Sequence, residues 1–164
     1  YLIQHLGVTG DEFDDEKVDA AFSSLEELKV FARQRGVEIL LENTPNKLAS
    51  AERLNLFLGQ THLNLNYCFD IGHAHMATGV AAEFTAMKNR IRSTHLHDND
   101  AVNDLHLFPS RQLGTIHWPA AMKLLNSIKD QCPLVLELRE PPEMEHPIEE
   151  AGRIAEELIH LYEQ

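Results

Sequence analysis

The strongest constraint on the fold is a repeated pattern in which a short apolar segment ends on a residue able to bind a metal ion. The pattern occurs five times, and its terminal residues are His5, Glu42, Asp70, His95 and Glu137. Parallel strands joined by helices bring their carboxyl ends to one edge of a sheet, where barrel enzymes place their active sites. Carboxylates and imidazoles together suit divalent cations. The pattern therefore predicts a metal site built from separate strands.

The stretches between the apolar segments are longer and amphipathic, so strands and helices are predicted to alternate. The predicted strands cover residues 1–7, 37–43, 63–70, 91–97 and 133–139. The predicted helices cover residues 15–35, 47–58, 74–88, 119–129 and 147–162. Five units in 164 residues give about 33 residues each, close to the roughly 31 of a (β/α)8 TIM barrel. The expected fold class is therefore α/β, as a partial TIM barrel.

Five strands cannot close an eight-stranded barrel, so we expect one partial TIM-barrel domain over residues 1–164. Three arrangements are compatible with this: the C-terminal part of a longer protein, a sheet completed by another chain such as a second copy, or an open sheet. A start on a strand, without an initiator Met, favours a fragment or a processed product.

Composition narrows the classes of function. The net charge of −12 repels polyanions, so nucleic acid is a disfavoured partner and a small ligand is favoured. No apolar run reaches the roughly 20 residues of a membrane-spanning helix, and no leader is evident, so a cytoplasmic location is expected. Cys68 and Cys132 are both expected to be reduced.

Alternation along each strand predicts which side chains face the barrel interior. Asp70 shares a face with Cys68, and both His95 and His97 face inward. Two simpler interpretations remain open at this point. Glu42 and Glu137 could form ion pairs with Arg92 or Arg139, and Asp70 could cap the helix that follows it.

Six motifs occur in one order along the chain: ILLENTP, CFDIGHAH, THLHDND, DLHLFPS, LGTIHW and LVLELRE. In this order they resemble the xylose isomerase-like TIM barrel superfamily, which includes sugar isomerases and epimerases and the endonuclease IV class of apurinic endonucleases. The resemblance covers nearly the whole chain and corresponds to the fourth to eighth strands of that barrel.

The isomerase and epimerase branch implies one divalent metal, Mn²⁺, Mg²⁺, Co²⁺ or Zn²⁺, held by Glu42, Asp70, His95 and Glu137. It implies an enediolate reaction in which Glu42 and Glu137 exchange the substrate proton and His73 lies near the substrate. His97 does not match a ligand position, and we expect it to contact the substrate or to lie behind the ligands.

The endonuclease branch implies a zinc cluster in which the ligand set gains four residues: His5, His73, Asp104 and His106. Its DNA would require a basic surface, and near the predicted mouth only Arg90, Arg92 and Arg111 are candidates. The family's usual GEG sequence reads Gln112, Leu113, Gly114 here, which removes an acidic residue that supports the ligands. A metal-binding barrel fragment without turnover is the third alternative.

Overall fold

The computed structural model describes residues 1–8, 12–109 and 113–164. Its five strands form one parallel sheet with the spatial order β1-β2-β3-β4-β5. The strands are β1 (Leu2–Gln4), β2 (Ile39–Glu42), β3 (Asn66–Asp70), β4 (Ile91–Leu96) and β5 (Leu134–Leu136). Because the order in space follows the order along the chain, the sheet curls into a half-barrel, as expected for a partial TIM barrel.

Within the described residues, six helices lie between and after the strands. They are α1 (Asp15–Arg33), α2 (Ala51–Gln60), α3 (Ile71–Met76), α4 (Val80–Met87), α5 (Trp118–Asn126) and α6 (Pro147–Tyr162). The main apolar core is a cluster of buried strand and helix residues, among them Leu41, Phe69, Leu54, Met122 and Ile154. Burial of each such side chain contributes about 1.5–3 kcal/mol, so this core holds the helices against the sheet.

The predicted helix over residues 74–88 is wrong, because two helices occupy this region. Helix α3 begins at Ile71, directly after the strand, where the carboxylate of Asp70 accepts a hydrogen bond from the backbone N–H of His73 at 2.7 Å. The helix ends near Ala77, and Gly79 adopts a φ of +101° before α4 begins. Only glycine adopts this φ at little cost, so Gly79 marks the break.

The predicted start of the second helix at residue 47 is also wrong, because the turn before it has its own hydrogen bonds. The side-chain oxygen of Asn46 accepts from the backbone N–H groups of Leu48 and Ala49, both at 2.8 Å. Ser50 then caps the helix, which begins at Ala51. A side chain that satisfies backbone donors in this way competes with helix formation.

The two edge strands are shorter than predicted. Strands β1 and β5 have three residues each, so His5 and Glu137 lie one residue beyond them. An edge strand has one neighbour instead of two, which shortens its hydrogen-bonded ladder. Leu2 and Val135, on these strands, are each 40% exposed. The sheet therefore presents two open edges.

The loop after β4 is fixed by a buried carboxylate. Asp98 accepts hydrogen bonds from the backbone N–H groups of Asn99, Thr115 and Ile116 at 2.8–3.1 Å, and from the indole N–H of Trp118 at 2.7 Å. These bonds attach the end of β4 to the start of α5. Trp118 is buried and acts as a packing anchor at this junction.

Two further features concern the cysteines and the length and polarity of the helices. Cys68 and Cys132 are buried and free, as predicted for reduced cysteines. Among the helices of the described ranges, none is both long and apolar enough to cross a membrane.

Candidate metal centre

Four donor side chains from four strand ends lie together at the carboxyl edge of the sheet. They are Glu42, Asp70, His95 and Glu137, and one ligand atom from each lies within 4.8 Å of the others. We call these residues the first donor group. Nδ1 of His95 is 3.1 Å from Glu42 Oε2, 3.1 Å from Glu137 Oε2 and 3.9 Å from Asp70 Oδ2.

The parallel register explains this convergence. Asp70 pairs with His95 across β3 and β4, so the last residue of β3 lies beside the penultimate residue of β4. Glu42 pairs with Cys68, one layer lower, and its longer side chain reaches up to His95. Asp70 also caps α3, so capping and facing the other donors are compatible roles for this residue.

Among the described contacts, Glu42 and Glu137 do not form the ion pairs with arginine that were left open above. Both carboxylates contact His95, and Glu42 also accepts a hydrogen bond from His5 at 3.1 Å. The partners of these acids are therefore imidazoles.

The first donor group contains buried polar atoms without hydrogen-bond partners, and these show whether a cation would fit among them. Glu42 and Asp70 are at most 1% exposed. Oε1 of Glu42, Oδ2 of Asp70 and Nδ1 of His95 are buried without a hydrogen-bond partner, although other charged atoms lie close to them. Buried polar groups are normally hydrogen-bonded, and buried carboxylates are costly without a counter-charge. This donor set therefore fits a divalent cation.

The electrostatics of the metal-free group indicate the same requirement for positive charge. Burial alone would raise the pKa of Glu42, but contacts with His5, His73 and His95 lower it well below its usual range. Burial would lower the pKa of His95, but Cys68, Glu137 and Glu42 together raise it far above its usual range. Histidinium charges thus balance the carboxylates when no cation is bound.

A second cluster of donors lies beside the first. One ligand atom each from His73, His97, Asp104 and His106 lies within 4.8 Å of the others, and we call these residues the second donor group. His97 is fully buried, neither ring nitrogen has a hydrogen-bond partner, and its ring stacks on His106 with centroids 4.0 Å apart. Burial would lower the pKa of His73, but its hydrogen bond to Asp104 and its contact with Glu42 raise it to about 11.

Two carboxylates lie between the donor groups. Oδ1 of Asp70 is 3.1 Å from Nε2 of His97, while its Oδ2 faces His95. Oε1 of Glu42 is 3.3 Å from Nδ1 of His73, while its Oε2 faces His95. The two groups are therefore parts of one continuous polar centre.

The structure divides the wider ligand set of the sequence analysis. His73, Asp104 and His106 lie together, whereas His5 contacts Oε2 of Glu42 and belongs to neither group. A cleft above the donors is lined by His5, Gly7, Val8, Thr44, Pro45, His73, Asp104, His106 and Glu137. This cleft gives a small ligand access to both groups.

Sequence reasoning missed three residues of this centre. Cys68 lies within 4.8 Å of donor atoms of Glu42 and His95. Asn43 binds the backbone of Asp70, and a Cβ at Gly72 would overlap the ring of His97. The ENTP and DIGH motifs contained Asn43 and Gly72, but their contacts depend on neighbouring strands.

The basic residues considered for DNA binding do not lie at this mouth. Arg90 precedes β4 and donates to the side chain of Asn64 and the carbonyl of Leu65, ahead of β3, so it lies at the opposite end of the sheet. Arg92 is the second residue of β4 and donates to the carbonyl of Ile91 at that same end. The prediction that they lie near the mouth is therefore wrong. Arg111 and Gln112 lie outside the described residues.

A family profile and a curated protein both match this sequence. A sequence profile of the family described as xylose isomerase-like TIM barrel matches residues 1–164. An uncharacterized protein of Methanocaldococcus jannaschii is 36% identical over 101 residues, which is 56% of this chain and 34% of that protein.

Two similar solved structures extend the comparison to three dimensions. A D-tagatose 3-epimerase-like protein superposes with a TM-score of 0.79 and 28% identity, over 98% of this chain and 61% of that one. A protein from Thermus thermophilus, soaked with ZnCl2, superposes with a TM-score of 0.66 and 25% identity, over 97% of this chain and 59% of that one. This chain thus spans about a third of the curated relative and about 60% of these solved chains.

Proposed function

The chain belongs to the xylose isomerase-like TIM barrel family, and from this membership we propose that it is a metal-dependent isomerase or epimerase of a small sugar or related polyol ketone. The observation that carries the proposal is the first donor group, in which three converging buried atoms, Glu42 Oε1, Asp70 Oδ2 and His95 Nδ1, have no hydrogen-bond partner. The likeness to a D-tagatose 3-epimerase-like protein supports the substrate class.

In this proposal Glu42, Asp70, His95 and Glu137 hold one divalent cation, which is Mn²⁺, Mg²⁺, Co²⁺ or Zn²⁺. When bound, the cation supplies Lewis acidity that polarises the substrate carbonyl and lowers the cost of removing the neighbouring C–H proton. The mixed carboxylate and imidazole set leaves the choice among these metals to experiment.

The proton transfers are assigned to the two glutamates. Glu42 lies at the end of β2 and Glu137 follows β5, and each places a carboxylate oxygen 3.1 Å from Nδ1 of His95. A contact with His95 keeps the pKa of Glu137 below its usual range, against the effect of burial. Both carboxylates are thus ionised, as groups that accept the substrate proton must be, although the lowered pKa makes each a weaker base; we assign them to the two faces of a substrate enediolate.

His73 is assigned to the substrate oxygens. Its ring lies in the cleft, and its raised pKa of about 11 keeps it protonated in the metal-free protein. A charged imidazole stabilises developing negative charge on a nearby oxygen. His97 is fully buried, so we propose that it supports the donors from within the second group.

Replacing Glu137 by Gln tests the catalytic assignment. In D2O with D-tagatose and other ketohexoses as probes, we expect the exchange of substrate C–H protons with solvent to fall by about 10²–10⁴-fold. The fold should persist, because Glu137 lies at an edge and its side chain is 46% exposed. Glu140→Gln, at an exposed position on the same segment, is the matched control. Undiminished exchange in Glu137→Gln would refute the role of this residue.

The second donor group favours one alternative function. Additional donors beside the first group would suit a cluster of zinc ions that activates water for phosphodiester hydrolysis, as in an abasic-site endonuclease. The net charge of −12 and the remote position of Arg90 and Arg92 count against DNA as the substrate.

Metal stoichiometry separates these functions. Elemental analysis of the protein after dialysis against a mixture of the candidate metals should give one metal per chain for the isomerase. Two or three zinc ions per chain would favour the endonuclease alternative. A chain with none would be a barrel fragment without metal chemistry, which contradicts both enzymes.

The open edges of the sheet support a further proposal about completion of the barrel. Leu2 and Val135 are partly exposed on β1 and β5, whereas a closed barrel covers such side chains. We propose that the present strands correspond to the fourth to eighth of the family barrel, and that an additional βα segment or a second copy covers these edges. Substrate contacts from that part would add to the cleft described here.

A further inference from the structure

Asn43 follows the donor Glu42 directly and lies at the gap between the ends of β2 and β3. It is 1% exposed. Its side-chain Nδ2 donates to the backbone carbonyl of Asp70 at 2.8 Å, and the backbone N–H of Asp70 donates to its Oδ1 at 2.8 Å. The β2–β3 ladder ends at the pair of Glu42 with Cys68, so these two bonds extend the pairing beyond it. The amide thus holds the backbone of one donor at both its N–H and its carbonyl.

The backbone of the same residue contacts the second donor group. Nδ1 of His73 lies 2.9 Å from the carbonyl oxygen of Asn43. A carbonyl only accepts hydrogen bonds, so Nδ1 carries the proton and donates. The other ring nitrogen, Nε2, then faces Asp104 at 3.3 Å within the second group. Asn43 therefore sets both the ring orientation of His73 and the nitrogen that faces the other donors.

From these contacts we propose that Asn43 is a positioning residue that sets the geometry of both donor groups, acting through Asp70 and His73. The effect of this positioning on catalysis rests on the proposed metal-dependent function. The hydrogen bonds themselves do not depend on a bound metal. Only an amide of this length satisfies the backbone of Asp70. Aspartate would place an oxygen against the Asp70 carbonyl, and alanine would leave its buried N–H and carbonyl groups unpaired.

The variants Asn43→Ala and Asn43→Asp test the proposal, and Asn55→Ala is the control. Asn55 also makes two side-chain hydrogen bonds, to the carbonyl of Ala86 at 2.9 Å and from the hydroxyl of Tyr67 at 3.0 Å. It lies on α2, outside both donor groups. A loss of two hydrogen bonds is therefore common to both alanine variants, while contact with the donors is specific to Asn43.

The first measurement needs no metal. We expect the amide of Asp70 to exchange with solvent at least about tenfold faster in Asn43→Ala than in the wild type, by hydrogen-exchange NMR. His73 bonds to the backbone carbonyl of residue 43, which Asn43→Ala keeps, so we expect its ring ¹⁵N shifts to change only through movement of that backbone once the side-chain bonds to Asp70 are lost. Asn55→Ala should leave both signals unchanged.

The second measurement is a Co²⁺ titration followed by the visible absorption of the bound ion. Partners behind metal ligands typically contribute 10- to 100-fold in affinity, so we expect a loss of about that size and an altered spectrum in both Asn43 variants. Asn55→Ala should keep the wild-type affinity and spectrum.

The outcomes separate the two proposals. Unchanged Asp70 exchange together with a wild-type cobalt spectrum in Asn43→Ala would overturn the positioning role. If the wild type binds no Co²⁺ but Asp70 exchange rises in Asn43→Ala, the positioning role stands and the proposed function fails. If Asn43→Ala does not fold, Asn43→Asp decides by its cobalt affinity and spectrum, because its carboxylate still accepts from the Asp70 N–H but cannot donate to the Asp70 carbonyl; wild-type cobalt binding in this variant would overturn the positioning role.

Discussion

Glu42→Gln should abolish detectable cation binding and, with it, all exchange of substrate protons. Glu42 is 1% exposed, and its two oxygens lie between His5, His73 and His95. The substitution keeps the shape of the side chain but removes the negative charge from the middle of the centre. Because the loss of a ligand charge exceeds the 10- to 100-fold typical of outer partners, we expect affinity to fall by more than about 100-fold. Calorimetric titration with Mn²⁺ measures it.

Glu83→Gln is the matched control for this variant. Glu83 is also buried, at 3% exposure, but it accepts hydrogen bonds from the backbone of Ala51 and the hydroxyl of Thr78, away from the donor groups. We expect this variant to bind Mn²⁺ with wild-type affinity, whatever its stability. Wild-type binding by Glu42→Gln would contradict the assignment of Glu42 as a ligand.

Asp98→Ala should produce the largest loss of stability. The substitution leaves three buried donors unpaired, namely the backbone N–H groups of Asn99 and Ile116 and the indole N–H of Trp118, while the N–H of Thr115 keeps its bond to the Asn99 carbonyl. Each unpaired buried donor costs about 1–3 kcal/mol, and relaxation of the loop recovers part of this, so we expect the free energy of unfolding to fall by about 4 kcal/mol. Urea unfolding followed by the fluorescence of Trp118, the only tryptophan, measures the change.

Asp98→Asn provides the comparison for this effect. Its carbonyl oxygen still accepts from the backbone N–H groups, while its NH2 group meets the indole N–H of Trp118. We expect the free energy of unfolding to fall by about half as much as in Asp98→Ala. In a Trp118→Phe background, which has no indole N–H, we expect Asp98→Asn to cause no further loss. A loss below about 1 kcal/mol in Asp98→Ala would contradict the role of Asp98 in fixing this loop.

The fold could be predicted from the sequence because each strand is a short apolar run, and each is separated from the next by an amphipathic helix. Four of the five residues that the sequence pattern singled out at the ends of apolar runs form the first donor group, and the resemblance separated them from the fifth, His5. Helix ends were harder to place, since Asn46 and Gly79 alter the local backbone through one side chain or one dihedral angle. Such local hydrogen bonds compete with helical periodicity.

Contacts that cross between strands could not be read from the sequence in the same way. The bond of Asn43 to Asp70 spans 27 residues, and the space for the His97 ring depends on Gly72 in α3. The alternation rule correctly placed His97 on the inner face, but it gave no information about its burial or its stacking on His106. These features depend on strand register and curvature.

The most direct test of the account is a crystal structure of the protein soaked with Mn²⁺, with anomalous scattering recorded at the manganese edge. We predict an anomalous peak in the first donor group, with ligand atoms of Glu42, Asp70, His95 and Glu137 all within about 2.0–2.3 Å of it. A well-ordered site with no peak at saturating Mn²⁺, or a peak that these four side chains do not share, would contradict the central claim.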